Sequence, residues 1–533
     1  MEKRGLPIGI QTFEGMIRGN YTYVDKTQHL YNLVNVQSDD PTVQGGRYFL
    51  SRPRRFGKSL LISTMEAIFK GKRELFKGLW IDKSDYSWDI YPVVRLDMSS
   101  ASSSDPEKLN LLLNIQLNNI AKEHAIHLDS ELPPQVNLMT LIKELSSTVG
   151  HVVVLIDEYD KPIIDQLNNT EVAKQNREIL KDFYGVLKAQ DEHIRFVFLT
   201  GVSKFSKVSI FSGLNNLNDI TMDTKYATLL GYTQEELEHF FEGWISELGE
   251  SMKMDKQTIL NKIKKWYNGY QFSKADEAVY NPFSTLLLFD KKDFLTHWFE
   301  TGTPTFLIDL LKQKEYAVPD IENSGVSIKA FSSFEVDNLQ VLPLLYQTGY
   351  LTIKQYDPES RLYTLRYPNE EVTYAFTESL LESFAHTPTG LTDSYAWQLI
   401  QALRADDLNE FFKVMKVFFA NVPYDLKAGE EKYFQSIFYL ILKLMGVKID
   451  VEVHTNDGRI DGVVETEGKI YIIEFKLNMP AKNGLDQIKE KKYYEKYLLR
   501  KDKSIILVGV SFDSKTRTIL EWETLPLNPP ESP

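Results

Sequence analysis

The chain has 533 residues, which is too long for one ordinary core and suggests roughly two to four domains. Its 43% hydrophobic and 25% charged content is that of a globular protein, and with no cysteine both disulfides and cysteine-ligated zinc are excluded. A net charge of −13 argues against a surface that coats nucleic acid everywhere, but it leaves room for a local basic groove.

Met1-Glu2-Lys3-Arg4-Gly5 is followed by no apolar h-region, so no signal peptide is expected. No run reaches the ~18–20 apolar residues that a bilayer demands. The expectation is a cytoplasmic protein with no membrane partner. Leu30, Leu33 and Val34 suggest a helix. The apolar run Tyr48-Phe49-Leu50 then leads into Ser51-Arg52-Pro53-Arg54-Arg55-Phe56-Gly57-Lys58-Ser59, and a helical pattern from Leu60 to Phe69 follows. Val93 to Met98 is a second strand, with helices over Pro106 to Ala125 and Leu138 to Leu145. Val152 to Ile156 is a continuous apolar run ending in Asp157-Glu158, as in a strand buried on both faces of a parallel sheet. A helix over Glu171 to Ala189 leads to the strand Phe196 to Leu199 and then Thr200. Strands alternating with helices indicate α/β architecture.

From Thr233-Gln234-Glu235-Glu236, a capping-box signature, the pattern turns helical. Leu342 to Leu351, Arg361 to Tyr367 and Glu371 to Ala385 form helix, hairpin and helix, a winged-helix-like arrangement. Residues 395 to about 420 suggest a helical connection. A helix over Tyr433 to Met445 precedes strands at Lys448 to Val453, Ile460 to Val464 and Ile470 to Phe475. A lysine-rich helix and a strand from Ser504 to Val510 complete the chain before a tail, 526–533, that is expected to be disordered.

Strand, loop, Gly-Lys-Ser and helix is the setting of a phosphate-binding loop. Gly57 lets the backbone approach a phosphate, Lys58 reaches the β- and γ-phosphates, and Ser59 holds Mg²⁺. The loop departs from the usual pattern, because Arg52 stands where a first glycine is expected. Asp157 would hold a metal-bound water, Glu158 would polarise the attacking water, and Thr200 would contact the γ-phosphate or that water. The nucleotide-binding set is therefore Arg54, Arg55, Phe56, Gly57, Lys58, Ser59, Leu60, Asp157 and Thr200, with Ser59 and Asp157 at the metal and Glu158 catalytic. Arg52, Arg54 and Arg55 bring positive charge to the loop, and either one of them binds phosphate or they pair with acidic neighbours. The strand at Val93, between the two motifs in sequence, fits the branch of these ATPases that has an additional strand there.

The loop phrase, Leu155-Ile156-Asp157-Glu158-Tyr159-Asp160-Lys161-Pro162, Thr200-Gly201-Val202-Ser203-Lys204, Trp266-Tyr267-Asn268-Gly269-Tyr270 and Tyr280-Asn281-Pro282-Phe283-Ser284 together resemble a bacterial AAA-ATPase-like family. That resemblance covers nearly the whole chain. It implies ATP as the nucleotide, the missing first glycine as a family trait, and a C-terminal nuclease-like domain.

In that C-terminal section, Asp461 is followed thirteen residues later by Glu474-Phe475-Lys476. A hairpin would place Asp461 beside Glu474, and alternation puts Glu474 and Lys476 on one face. Two carboxylates bind Mg²⁺ (or Mn²⁺), while the lysine positions water and stabilises developing charge. The pattern resembles the PD-(D/E)xK nuclease superfamily. Glu431, before the preceding helix, and Gln487, in the following one, are supporting candidates; Glu431 reads equally well as a solvated helix-start acid. Lys482, Lys489, Lys491, Lys492, Lys496, Arg500, Lys501 and Lys503 offer a face for DNA, whereas Tyr493, Tyr494 and Tyr497 read as core.

The sequence thus implies an α/β protein. A P-loop AAA-like parallel-sheet core spans 1–232, a helical lid 233–320, a winged-helix-like connecting region 321–425 and a restriction-endonuclease-like domain 426–525. The expected activity is an ATPase whose nucleotide state controls a Mg²⁺-dependent DNA nuclease, in defence or mobile-element biology. The alternative is a nucleotide-gated DNA- or partner-binding regulator that does not cut. A homo-oligomer remains open.

Overall fold

The computed structural model describes residues 3–35, 45–101, 104–204, 216–299, 305–314, 316, 318–322, 324–332, 339–385, 389–421, 431–455 and 458–527. The chain forms two compact units, one of residues 1–301 and 323–371, the other of residues 302–322 and 372–533.

The first unit is built on five parallel strands: β1 (Arg47–Ser51), β2 (Val93–Asp97), β3 (Val152–Asp157), β4 (Ile194–Gly201) and the short β5 (Asn218–Asp219). They lie in the order β2-β3-β4-β1-β5. Every residue of β3 is buried, which is why its sequence runs apolar without alternation. The extra strand expected from the sequence is β2, which takes the edge beside β3, and β4 comes between β1 and β3. This order brings the C-terminal tips of β1, β3 and β4 together, where open α/β sheets place their ligands.

Helices α1 (Phe13–Arg18) and α2 (Thr27–Val34) precede the sheet. Helix α3 (Lys58–Phe69) leaves the loop after β1, and α4 (Pro106–Glu123), α5 (Pro134–Thr148), α6 (Lys161–Ile164) and α7 (Thr170–Ala189) connect the strands. The helical section is α8 (Gln234–Phe240), α9 (Glu242–Met252), α10 (Lys256–Tyr267) and α11 (Pro282–Lys291). Its start is the capping box expected from the sequence, with Thr233 Oγ1 accepting from the Glu236 amide at 3.2 Å and Glu236 Oε2 from the Thr233 amide at 2.8 Å. Leu237, Phe241, Ile245, Ile259, Ile263 and Phe289 form its core. Burying such side chains stabilises by about 1.5–3 kcal/mol each.

The N-terminal segment completes that core. Val24 is buried in it, and Leu6 and Ile8 pack against it. Lys26 Nζ binds Glu236 Oε2 at 2.6 Å and donates to Thr228 O at 2.7 Å. On the sheet side, Phe13 packs on Phe76 and its amide donates to Ser63 Oγ.

The helix, hairpin and helix read from the sequence are present as α12 (Val341–Thr348), β7 (Thr352–Asp357) with β8 (Leu362–Arg366), and α13 (Glu370–Ala385). A third strand, β6 (Gly325–Ser327), pairs with β8. Contacts divide the chain differently from the five sequence segments. Helices α8 to α11 belong to the same unit as the parallel sheet, whereas the helix Thr305–Gln313, within the expected lid, belongs to the second unit. The expected winged-helix-like region is itself divided, because the boundary falls between Glu371 and Val372 in the first turn of α13.

In the second unit, α14 (Thr389–Arg404) and α15 (Leu408–Ala420) are the helical connection, and α16 (Glu431–Leu444) opens the C-terminal section. Strands β9 (Lys448–Thr455), β10 (Gly458–Glu465), β11 (Lys469–Leu477), β12 (Ser504–Asp513) and β13 (Thr518–Leu527) lie in the order β13-β12-β11-β10-β9. All neighbours are antiparallel except β11 and β12. The connection between that parallel pair carries α17 (Ala481–Glu490). Sequence reading missed β13, an edge strand with mostly exposed side chains and no clean alternation. Its end corrects the expected tail, since Pro526 and Leu527 pair with β12; 528–533 lie outside the described residues. Among the described residues, no helix is long and apolar enough to cross a membrane.

Candidate active sites

The first site sits at the tips of β1 and β3. Gly57 caps α3 at φ 91°, a conformation open to glycine, and turns the chain into the helix. The α3 N-terminus therefore faces a cleft of about 400 Å³, a volume that suits a small-molecule ligand. Arg54, Arg55, Lys58, Ser59, Leu60 and Glu158 line it on the sheet side. Pro7 to Gln11, Tyr232, Pro282 and Phe283 form the facing wall, which sequence reading had not assigned. The Tyr280 to Ser284 phrase carried the available signal: Asn281 caps α11 by accepting from the Ser284 amide, which fixes Pro282 and Phe283 at the cleft.

Lys58 is buried, and its Nζ donates to the loop carbonyls of Arg52 (3.1 Å) and Pro53 (2.9 Å). Burial lowers its pKa, with Glu158, Asp157 and Asp160 opposing. The Ser59 hydroxyl favours the charged form of Asp157. Burial raises the pKa of Asp157 and of Glu158, and Lys58 opposes both shifts. Ser59 and Asp157 fit a divalent cation: a hydroxyl at the cleft and a desolvated carboxylate at the end of β3 are ligand types it takes, and a cation would offset the buried charge. Asp97 at the end of β2 stands in register with Asp157 and adds to its shift. The sequence placed this strand without marking its terminal acid.

Three side chains marked in the sequence are turned away from the cleft. Thr200 is fully buried, and its hydroxyl donates to Leu50 O at 2.9 Å across the β1–β4 pair, so it is spent inside the sheet and does not reach the cleft. Phe56 points into the core, edge-on to Tyr270 (4.8 Å) and Phe272 (5.4 Å), so only its backbone is at the loop. Arg52 is 1% exposed and lies behind the loop. Its guanidinium donates to Ser51 O (2.9 Å), Thr221 O (2.8 Å) and Tyr226 O (3.1 Å), and it stacks on Phe272 at 4.2 Å. A glycine there would take the guanidinium from Ser51 O and Thr221 O and leave Tyr226 O with the Leu229 amide alone. Of the three loop arginines, Arg54 and Arg55 remain at the cleft, Arg55 lying over the Phe283 ring at 4.6 Å.

Asp160 ties the tips of β3 and β4 together. It accepts from the Ser203 amide and hydroxyl, both at 2.7 Å, and from the Val202 amide at 3.3 Å. A side chain at Gly201 would collide with Asp160 and with the Tyr159 ring. The Thr200 to Lys204 phrase is therefore mainly architectural.

The second site lies on β10 and β11 of the second unit. The antiparallel pair puts Gly462 opposite Ile473, and one step further Asp461 Oδ2 accepts from the Phe475 amide at 2.8 Å. Lys476 Nζ binds Glu474 Oε1 at 3.0 Å and donates to Phe475 O at 2.9 Å. Gln487 Nε2 donates to the same Glu474 oxygen. It gets there because α17 lies tight on the sheet: a side chain at Gly509 would strike Ala481 O, and one at Gly484 would meet Glu474 O at 2.9 Å. Asp461, Glu474, Lys476 and Gln487 thus converge as the sequence led one to expect. Glu431 opens α16, and its side chain lies outside the described residues.

Glu474 is buried, and its Oε2 has no partner among the described residues. Burial and then Asp461 push its pKa up to about 7, against Lys476. A buried, unpartnered carboxylate oxygen beside a second carboxylate fits a divalent cation. Lys482, Lys489, Lys491, Lys492, Lys496 and Lys501 are exposed, whereas Lys503 and Arg500 are held by Glu465. Tyr493 and Tyr497 join the domain core.

Fold and sites define a P-loop nucleotide-binding protein carrying a nuclease-superfamily domain. Residues 7–211 match the AAA-ATPase-like family model, described as a predicted AAA-ATPase, and residues 429–522 match the PD-(D/E)XK nuclease superfamily. An uncharacterized protein in the vnfD 5′ region of Azotobacter chroococcum mcd 1 is 39% identical over 538 residues, covering 98% of both chains. The Aeropyrum pernix ORC2 protein, solved in ADPNP–ADP complexes, aligns at a TM-score of 0.28 and 11% identity over 84% of this chain and 90% of its own. The chain belongs to the AAA-ATPase-like family with a C-terminal PD-(D/E)XK nuclease superfamily domain.

Proposed function

We propose that this protein binds and hydrolyses ATP with Mg²⁺ in the first unit, and that its nucleotide state controls a Mg²⁺-dependent DNA nuclease in the second. The observation that carries the reading is the convergence of Lys58, Ser59 and Glu158 on one cleft, with Asp157 next to Glu158 at the end of β3. Lys58 is the cation for the phosphates, Ser59 and Asp157 are the metal ligands, and Glu158 orients water. An apolar recess beside Gly57, lined by Met16, Val24, Leu230 and Tyr232, suits the nucleobase. In the second unit, Asp461 and Glu474 would hold the metal, which supplies Lewis-acid stabilisation of the phosphoryl oxygens. Lys476 and Gln487 orient Glu474, and the exposed lysines after the site attract a phosphate backbone. Defence against foreign DNA or mobile-element biology is the setting this reading suggests.

The test is cleavage of single- and double-stranded DNA with Mg²⁺ or Mn²⁺, with and without ATP, by wild type, Lys58→Ala and Lys476→Ala. Cleavage unchanged in Lys476→Ala would remove the nuclease assignment. ATP turnover unchanged in Lys58→Ala would remove the nucleotide site. Equal cleavage with and without ATP would leave both sites standing and end the coupling.

A further inference from the structure

The cleft has two walls, and one buried carboxylate is tied to both. Arg54 belongs to the phosphate loop and lines the cleft. Its carbonyl accepts from Trp298 Nε1 at 3.3 Å. The Trp298 amide donates to Glu371 Oε1 at 2.8 Å. From the facing wall, Ser284 Oγ, in the first turn of α11, donates to the same oxygen at 3.0 Å. Pro282 and Phe283, just before it, line the cleft, and Phe283 lies under the Arg55 guanidinium.

Glu371 is 0% exposed and sits in the first turn of α13. There the helix dipole favours a negative charge. The fold also holds Trp298 closely. Its ring lies 5.2 Å from that of Tyr350, and a side chain at Gly349 would meet Pro53 of the phosphate loop at 2.7 Å and the Trp298 ring at 3.4 Å. Helix α13 begins with two residues of the first unit and continues from Val372 as part of the second.

We propose that Glu371 is a positioning residue that relays occupancy of the nucleotide cleft to α13: a ligand that draws the phosphate loop and the α11 N-terminus together changes the hydrogen bonds that Trp298 and Ser284 give to Glu371, and with them the first turn of the helix. A buried charge depends on each of its donors, so moving either wall alters its free energy far more than at an exposed position. This rests on the nucleotide reading above. No part of it requires the second unit to cut DNA.

The test is hydrogen exchange of the α13 amides from Tyr374 to Leu381 in the full chain, with and without a non-hydrolysable ATP analogue and Mg²⁺. Binding of a fluorescent ATP analogue is measured separately. In wild type, the nucleotide is expected to change that exchange by about fivefold or more, the lower end of ordinary coupling. Trp298→Phe keeps an aromatic side chain and the backbone amide that Glu371 accepts from, and it removes the indole N–H together with part of the ring. It should bind nucleotide within about twofold of wild type and lose most of the α13 response. Glu371→Gln, which keeps the shape and removes the charge, should do the same. Nucleotide bound by wild type with no change in α13 exchange would overturn this inference alone, as would a full response in Trp298→Phe. Absence of nucleotide binding in wild type would overturn the nucleotide reading and this inference with it.

Discussion

Arg52→Gly would restore the residue that a standard phosphate loop carries, and here it is expected to damage the loop. The guanidinium donates to Ser51 O, Thr221 O and Tyr226 O in a buried setting, and Tyr226 O also accepts from the Leu229 amide. Burial lowers its pKa to about 10, so the charge is retained at neutral pH but held against a desolvation cost. Allowing for that cost, Ser51 O and Thr221 O, which lose the guanidinium, are taken at about 1 kcal/mol each, and the added backbone freedom of glycine at about 1 kcal/mol. The expected loss is then about 3 kcal/mol, at the upper end of ordinary single substitutions. Native-state hydrogen exchange of the β1 and α3 amides without nucleotide reads this directly, and ~3 kcal/mol corresponds to about 150-fold faster exchange. Arg52→Lys keeps the charge without the planar fork and should fall between the two. The reasoning fails if Arg52→Gly exchanges within about threefold of wild type. If it does so while ATP affinity collapses, the arginine contacts phosphate and does not hold the loop from behind.

Glu158→Gln is expected to lower ATP turnover by about 10²–10⁴-fold while nucleotide binding is retained; equal loss of both would make Glu158 a binding group. For Glu474 the pKa lies above its ordinary value of 4.5, at about 7. The stability that its protonated form contributes is therefore complete below about pH 4.5 and lost as pH rises through about 7. In EDTA, Glu474→Gln should match wild type near pH 5 and melt higher near pH 8, with Mg²⁺ narrowing the gap for wild type alone; parallel melting curves at both pH values would refute this. Gly509→Ala forces a side chain into Ala481 O, so α17 must lift and carry Gln487 from Glu474. A loss of about 1–3 kcal/mol in the second unit together with weaker Mg²⁺ binding is expected, and calorimetry with a metal titration checks both.

The strands of the parallel sheet could be read from the sequence because burial on both faces leaves continuous apolar runs, as from Val152 to Ile156. Asp461, Glu474 and Lys476 could be read because strand alternation and a hairpin are local rules. What could not be read depends on partners distant in sequence. Thr200 stands at a strand end as a γ-phosphate contact would, and only the β1–β4 register shows its hydroxyl turned to Leu50. Arg52 looked like a charge for phosphate because its acceptors, Thr221 and Tyr226, lie about 170 residues away and are backbone atoms of no special type. Strand β13 was missed because an edge strand with one buried side chain, Ile519, has no pattern to show.

The nucleotide cleft is also assembled from the two ends of a long stretch of chain. Pro7 to Gln11 form part of one wall, and Pro282, Phe283 and Leu286 close it. Lys26 is held by Glu236, and Lys3 by Glu247. During synthesis the first wall emerges well before the residues that hold it. Helix α3 can form early, but β1 must wait for β4 and β5, and the cleft has no complete boundary until α11 has been made. Loop closure across such a separation is slow relative to local helix formation. The N-terminal segment therefore spends that interval with Leu6, Ile8 and Val24 exposed, the kind of surface that recruits chaperones to a growing chain.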